Sequence, residues 1–386
     1  MRVRGLPYGC HVTDADVVRT DEVELDLTLL PEERDDLEAS DDAPVSVTFA
    51  TQDYPVDGLV KRLNEKTMLI PQFRGADARV RTAGFQRGFV WTKGQMDRFI
   101  ESLLLGYPIP GIFLVKQPGD NRLLVLDGQQ RLETLRRFYD GMHDDRTFSL
   151  SNVGDQFRGL TYRSLEESQR IGLDDSFMQA TIVTADGSPA VNDAIYQIFE
   201  RLNAGGTQLT PHEIRVALYA GELMTSVERL NENPDWRKLY GAQSRRIRDH
   251  ELILRILALS ERADEYRRPL KQFLNNYARD RRAVDIEAEP VGLRFAEAVA
   301  ALARQAGPTA FRRGAIGQVN AAQAEAVVVA AMGRVAQGSV PDDLARRIGL
   351  LQADDEFLRA TARATADNER VEQRLRRARE LFAPDA

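Results

Sequence analysis

Cysteine is nearly absent from this chain. Cys10 is the only one in 386 residues, which excludes an intramolecular disulfide and a zinc site built from several thiolates, and fits a reducing compartment. Histidine is scarce too. His11, His143, His212 and His250 form no His-x-x-x-His pair, and no run resembles an HNH nuclease motif. General acid–base work would therefore fall to Asp127, Glu133 or a metal-bound water. No apolar run approaches the ~20 residues of a membrane helix, and the N-terminus lacks a signal-peptide core. The expectation is a cytoplasmic protein with no membrane partner. A Gly-x-x-x-x-Gly-Lys-Ser/Thr loop is missing, which excludes a P-loop NTPase, as is a Gly-x-Ser-x-Gly elbow for acyl chemistry. Positive charge is in deficit, 52 Lys and Arg against 59 Asp and Glu, so any contact with DNA must come from a local patch. What remains, 43% apolar and 29% charged, is a globular composition with room for two or three core-bearing units.

The most informative stretch is 122–140. Leu123 to Leu126 is an apolar run of strand length, broken by the turn chemistry of Asp127 and Gly128. Leu132, Leu135 and Tyr139 then recur at helical spacing, with Phe138 widening the face. Between strand and helix stand Asp127, Gly128, Gln129, Gln130 and Arg131. A helix N-terminus offers unpaired N–H groups and a positive dipole end, so an anion is welcome there. Gly128 allows close approach, and Arg131 adds a planar fork for phosphate oxygens. Asp127 can hold a metal or orient a water. The plainer reading is that Asp127 caps the helix and Arg131 pairs with Glu133 or another acid.

The acidic segment 1–46 stands apart. Between Asp14 and Asp42 it carries thirteen acids against Arg19 and Arg34. Glu24–Leu30 alternates like a strand, and the stretch after it reads as a solvated linker, with a DNA-mimicking arm as the alternative. Further on, the pattern predicts a helix from Val56 and a strand at Met68–Ile70. An ordered loop follows over 72–91, then a helix over 93–105 and a strand at Ile109–Val115 that forms a hairpin with the signature strand through Pro118–Asn121. Strands at Phe148–Leu150 and Phe177–Thr184 and a helix over 190–203 complete this half. Thr210 and Glu213, with Pro211 between them, read as a capping box. From 210 onward helix periodicity dominates. Residues 237–282 hold thirteen Lys or Arg and six Asp or Glu. Arg245, Arg246 and Arg248 lead this patch, which either follows a phosphate backbone or is a solvated, ion-paired helix surface. The run Arg370–Arg379 reads as an exposed helix laced with salt bridges.

Asp127-Gly-Gln-Gln-Arg131 followed by Leu-Glu-Thr-Leu resembles the signature of the GmrSD-type restriction endonuclease N-terminal family. Gln86-Arg-Gly-Phe-Val-Trp91, Gly106-Tyr-Pro-Ile-Pro110 and Phe199-Glu-Arg-Leu-Asn203, with Gly205-Gly206, Leu209 and Glu213-Ile-Arg215, are similar to its other blocks. Order and spacing agree from about 56 to 220. The resemblance implies an α+β chain: an acidic arm (1–46), a ParB/sulfiredoxin-like mixed α/β domain (47–209) and an α-helical domain (210–386). It also implies binding and hydrolysis of a nucleoside triphosphate (GTP, CTP or ATP), with Mg2+, in antiphage defence. Asp127, Gln130 and Arg131 would be catalytic, with Asp127 at the metal. Gln86, Arg87, Gly128, Gln129, Arg201 and Asn203 would bind nucleotide, although Arg201 and Asn203 sit where helix-end residues simply cap carbonyls. Expected partners are DNA through 237–282, a separate nuclease subunit and a second copy of the chain. The alternatives are a nucleotide-gated DNA-binding module without turnover and a nuclease acting through the core itself.

Overall fold

The structure, a computed structural model, describes residues 33, 47–70, 91–116, 121–186, 188–202, 210–244, 246–313, 317–338 and 340–384. The expected strand at 24–30, most of the loop at 72–91 and the turn at 118–120 lie outside them. The first half runs β1 (Thr48–Pro55), α1 (Val56–Asn64), β2 (Met68–Leu69), α2 (Lys93–Leu104), β3 (Ile112–Lys116), β4 (Leu123–Asp127) and α3 (Gln129–Asp140). After these come the small ladder β5 (Met142–His143) and β6 (Arg146–Thr147), then α4 (Glu167–Asp174), β7 (Phe177–Thr184) and α5 (Pro189–Leu202). Beyond this the described elements are helices: α6 (Pro211–Leu218), α7 (Glu222–Asn231), α8 (Pro234–Tyr240), α9 (Arg248–Arg262), α10 (Leu270–Asp280), α11 (Pro290–Gln305), α12 (Ala321–Ala336), α13 (Leu344–Ala353), α14 (Asp355–Ala360) and α15 (Asn368–Leu381), with short 3-10 turns between some of them.

The five-stranded sheet has the order β1-β7-β3-β4-β2. It is mixed: β3 is antiparallel to β4 and parallel to β7, while β1 is antiparallel to β7 and β2 parallel to β4. The expected hairpin is therefore present as an antiparallel pair, Leu114 opposite Val125. The unbroken apolar run of β4 has a direct cause. Leu123 and Val125 face a core formed with α1 to α4, whereas Leu124 and Leu126 face a second core formed with the helices from α5 onward. A strand buried on both faces has no polar alternation. Phe199 of α5 and Ile214 of α6 belong to the same second core.

Local rules set the helix starts. Thr92 and Gln95 form a capping box for α2, which buries Met96, Phe99, Ile100 and Leu103. Thr210 and Glu213 do the same for α6, with Pro211 in its first turn. Two expectations need correction. Phe148–Leu150 is not a strand: the β5–β6 ladder stops at Thr147, and Phe148 and Leu150 are buried as loop side chains, Phe148 edge-on to Phe138. β1 was not expected, because it is an edge strand with most side chains exposed and so shows no apolar signal.

Candidate functional site

The signature forms the turn between β4 and α3. Gly128 is the residue before the helix, with φ 93° and ψ 9°. That left-handed conformation favours glycine, and a Cβ there would run into the Ile112 Cγ2. Because Gly128 has no side chain, α3 starts without a side-chain cap. The Leu132 N–H donates to the Gly128 carbonyl at 2.9 Å, closing the first turn of α3. Among the described residues the N–H groups of Gln129 and Arg131 have no acceptor, at the positive end of a 12-residue helix.

Arg131 is anchored. Its Nη2 donates to Asp127 Oδ2 at 2.8 Å, and its Nη1 donates to the carbonyls of Gly111 (2.8 Å) and Pro110. The acid that pairs with Arg131 is thus Asp127. Glu133 instead lies buried between Arg136 and Arg137, which removes it as a general base. The Arg131 clamp joins the Pro108-Ile-Pro110 turn to the signature. The sequence marked both pieces as motif blocks but could not show that main-chain carbonyls at 110 and 111 are acceptors. The Arg131 Nε–H has no acceptor among the described residues. Gln130 Oε1 accepts from the Trp91 N–H at 3.2 Å, so the end of the Gln86–Trp91 block is tied to the turn. Gln129 is half-buried. Among the described residues no group of three or more His, Cys, Asp or Glu is placed to hold a metal. Among the described residues Asp127, already paired with Arg131, does not by itself make a resident Mg2+ centre.

Gln86, Arg87, Asn203 and Arg245 lie outside the described residues. Arg201 is exposed in the last turn of α5. Two members of the expected DNA-facing cluster are engaged in ion pairs. Arg246 is 4% exposed and donates to Glu213 at 2.7 Å. Arg248 donates through Nε and Nη2 to the two carboxylate oxygens of Glu33, each at 2.9 Å. Both guanidiniums are held by carboxylates from distant parts of the chain. Much of the 237–282 patch is likewise turned inward: Arg237 pairs with Asp249, Arg255 with Glu251 and Lys271 with Glu200. Among the described residues Lys238, Arg267 and Arg268 are its exposed cations.

A buried chain of polar contacts in the helical half was not foreseen. Arg215, fully buried, donates to His212 Nδ1 at 3.0 Å, and His212 Nε2 meets His250 Nδ1 at 2.8 Å. His250 Nε2 then meets the Met224 carbonyl at 3.2 Å. One set of proton positions satisfies all three contacts, with each imidazole neutral and protonated on Nε2. Burial pushes both imidazoles below the ordinary histidine range. Arg215 and Arg255 act in the same direction on His212, whereas Asp249 and Glu251 oppose the effect on His250 without reversing it.

Residues 70–220 match the family model of the GmrSD restriction endonuclease, N-terminal domain. That span contains the signature turn, the clamp at 110–111 and α6, so the resemblance carried by the motifs is borne out. No curated protein and no solved structure is significantly similar to the chain. Among the described residues no helix is long and apolar enough to cross a membrane.

Proposed function

We propose that this chain is the nucleotide-responsive part of a restriction-type antiphage defence system, and that the turn at 127–131 takes the phosphates of a nucleoside triphosphate. The observation that carries this reading is the uncapped start of α3. The N–H groups of Gln129 and Arg131 have no acceptor there among the described residues, behind a glycine that cannot be replaced without a clash. Polyphosphate oxygens supply the missing acceptors. Arg131 contributes a positive charge already held in place, with its Nε–H still available. The amides of Gln129 and Gln130 border the same turn. Hydrolysis would rest on positioning and on stabilising charge that develops at the phosphate, with Mg2+ arriving on the nucleotide. The ParB/sulfiredoxin-like character of the core, the choice among GTP, CTP and ATP, a DNA partner, a separate nuclease subunit and a homodimer belong to the same proposal.

Phosphate release from each triphosphate, with and without DNA, tests it. Arg131→Ala should cost about 2–4 kcal/mol of transition-state stabilisation, the scale of one lost charged donor. Purified protein alone should leave plasmid intact. Metal-dependent nicking that is abolished by Asp127→Ala would replace this reading with a nuclease.

The Arg131 anchoring favours a second reading, a nucleotide-gated binding module without turnover. A guanidinium tied to two carbonyls and a carboxylate suits holding an anion more than following one through a reaction. Saturable nucleotide binding with no phosphate release under any DNA condition would select it. Absence of binding by all four ribonucleoside triphosphates would end both.

A further inference from the structure

The helix α2 ends in a closed cap. Gly106, with φ 70°, is its left-handed residue. The Gly106 N–H donates to the Leu103 carbonyl and the Tyr107 N–H to the Ser102 carbonyl at 2.8 Å, the paired pattern of a Schellman motif. In that motif an apolar residue after the glycine commonly packs on the side chain five positions before it. Here that earlier position is Ser102, whose hydroxyl turns back to donate to the Arg98 carbonyl. Tyr107 therefore lacks its ordinary packing partner. Its side chain is 60% exposed and makes no hydrogen bond or ring contact among the described residues.

An exposed ring on a loose loop would mean little, but this ring stands on a stiff arm. The helix cap fixes the arm at Tyr107. Pro108 and Pro110 then each lock φ near about −65°. At the far end Arg131 donates to the Pro110 and Gly111 carbonyls, so the arm is fastened to the signature turn. Pro110 is three residues from Tyr107, at most about 11 Å of extended chain. Trp91 is also tied to the turn, through its N–H to Gln130, but its ring is engaged edge-on with Phe99 at 5.6 Å. The ring of Tyr107 is not engaged in this way.

We infer that Tyr107 is the platform on which the base of the bound nucleotide stacks. The inference rests on the reading that the turn at 127–131 takes the phosphates. Phosphates held at the foot of the arm anchor one end of the ligand, and the exposed ring offers the other end a flat apolar surface. A tyrosine has few rotatable bonds, so ordering it against a base costs little entropy. Every base has a π-face, so the stack adds affinity without choosing sharply among GTP, CTP and ATP. Tyr107 is thus a binding residue and takes no part in the reaction at the phosphate.

Inorganic tripolyphosphate with Mg2+ carries the phosphates without a base, so it separates the two ends of the ligand. Calorimetric titration should show that Tyr107→Ala weakens binding of each ribonucleoside triphosphate about tenfold, the scale of one base–aromatic stack. Binding of tripolyphosphate to the same variant should be unchanged. Tyr107→Trp, which keeps a stacking surface, should bind nucleotide at least as tightly as the unaltered chain. Thermal melts of both variants should match the unaltered chain, because the ring is exposed. Unchanged nucleotide affinity in Tyr107→Ala would overturn the inference and leave the phosphate reading intact. Equal weakening of nucleotide and tripolyphosphate would do the same, since the ring would then act on the turn and not on the base. Tripolyphosphate that binds neither the variant nor the unaltered chain would overturn the phosphate reading, and this inference with it.

Discussion

At the signature turn, Asp127 and Arg131 are one helical turn apart, and the carboxylate is about two-fifths exposed. In the helical half, Arg246 meets Glu213 across 33 positions with both side chains buried, and His212 meets His250 across 38. Short-range, half-exposed charge leaves donors open to a ligand. Long-range, buried charge uses its donors to fasten helices that would otherwise be held by apolar contact alone. Net charge along a sequence therefore says little about which cations meet the outside. In 237–282 the excess of arginine mostly serves internal joints.

The largest expected effect breaks that contrast on the buried side. Glu213→Ala removes a buried carboxylate partner of Arg246 and part of the α6 capping box, and should cost about 3–5 kcal/mol, the scale of breaking a buried ion pair. Chemical denaturation should show it as a lowered midpoint. A loss below 1 kcal/mol would mean that Arg246 is solvated in solution.

Gly128→Ala comes next. A left-handed backbone at a non-glycine residue costs about 1–3 kcal/mol, and the contact with Ile112 adds to it. Nucleotide binding, if it occurs at this turn, should fall more than stability does. Equal nucleotide affinity in a folded Gly128→Ala variant would move the phosphates elsewhere.

The imidazole pair gives a pH effect. Folding holds both rings below the unfolded value of about 6.5, so between that value and the lower folded ones the unfolded chain binds more protons. Stability should be flat above about pH 7 and fall as pH drops below about 6.5. His250→Gln, which can accept from His212 and donate to Met224, should flatten the slope between pH 5 and 6.5 in thermal melts. An unchanged slope would place the acid sensitivity on other groups.

The smallest effect sharpens the comparison on the exposed side. Asp127→Asn leaves Arg131 bound to two carbonyls and should change stability by less than about 1 kcal/mol, as for half-exposed ion pairs. A larger loss would mean that the carboxylate organises the turn itself.

Elements governed by neighbours in sequence were legible. The apolar spacing of α2, the double-sided run of β4 and the Thr210–Glu213 cap each depend on residues a few positions apart. The glycine at 128 was legible as a turn, and its unprotected helix start followed from the same pattern. The pairings of Arg246 and Arg248 were not legible because their partners lie far off, at Glu213 and Glu33, and nothing in a linear charge pattern shows such pairing. The histidine pair was hidden for the same reason. The expectation about the four histidines concerned only spacing within one helix, whereas His212 and His250 sit on α6 and α9.

The position of β4 has a mechanical consequence. It ends at Asp127, and its two faces belong to different cores. Close-packed interiors do not deform continuously but shift between discrete arrangements. A ligand that moves the turn at the tip of this strand by a fraction of an ångström therefore has no soft side on which to lose the displacement. The push divides between the helices α1 to α4 on one side and the long helical half on the other. β4 is a party wall, and a knock at its end is heard in both houses.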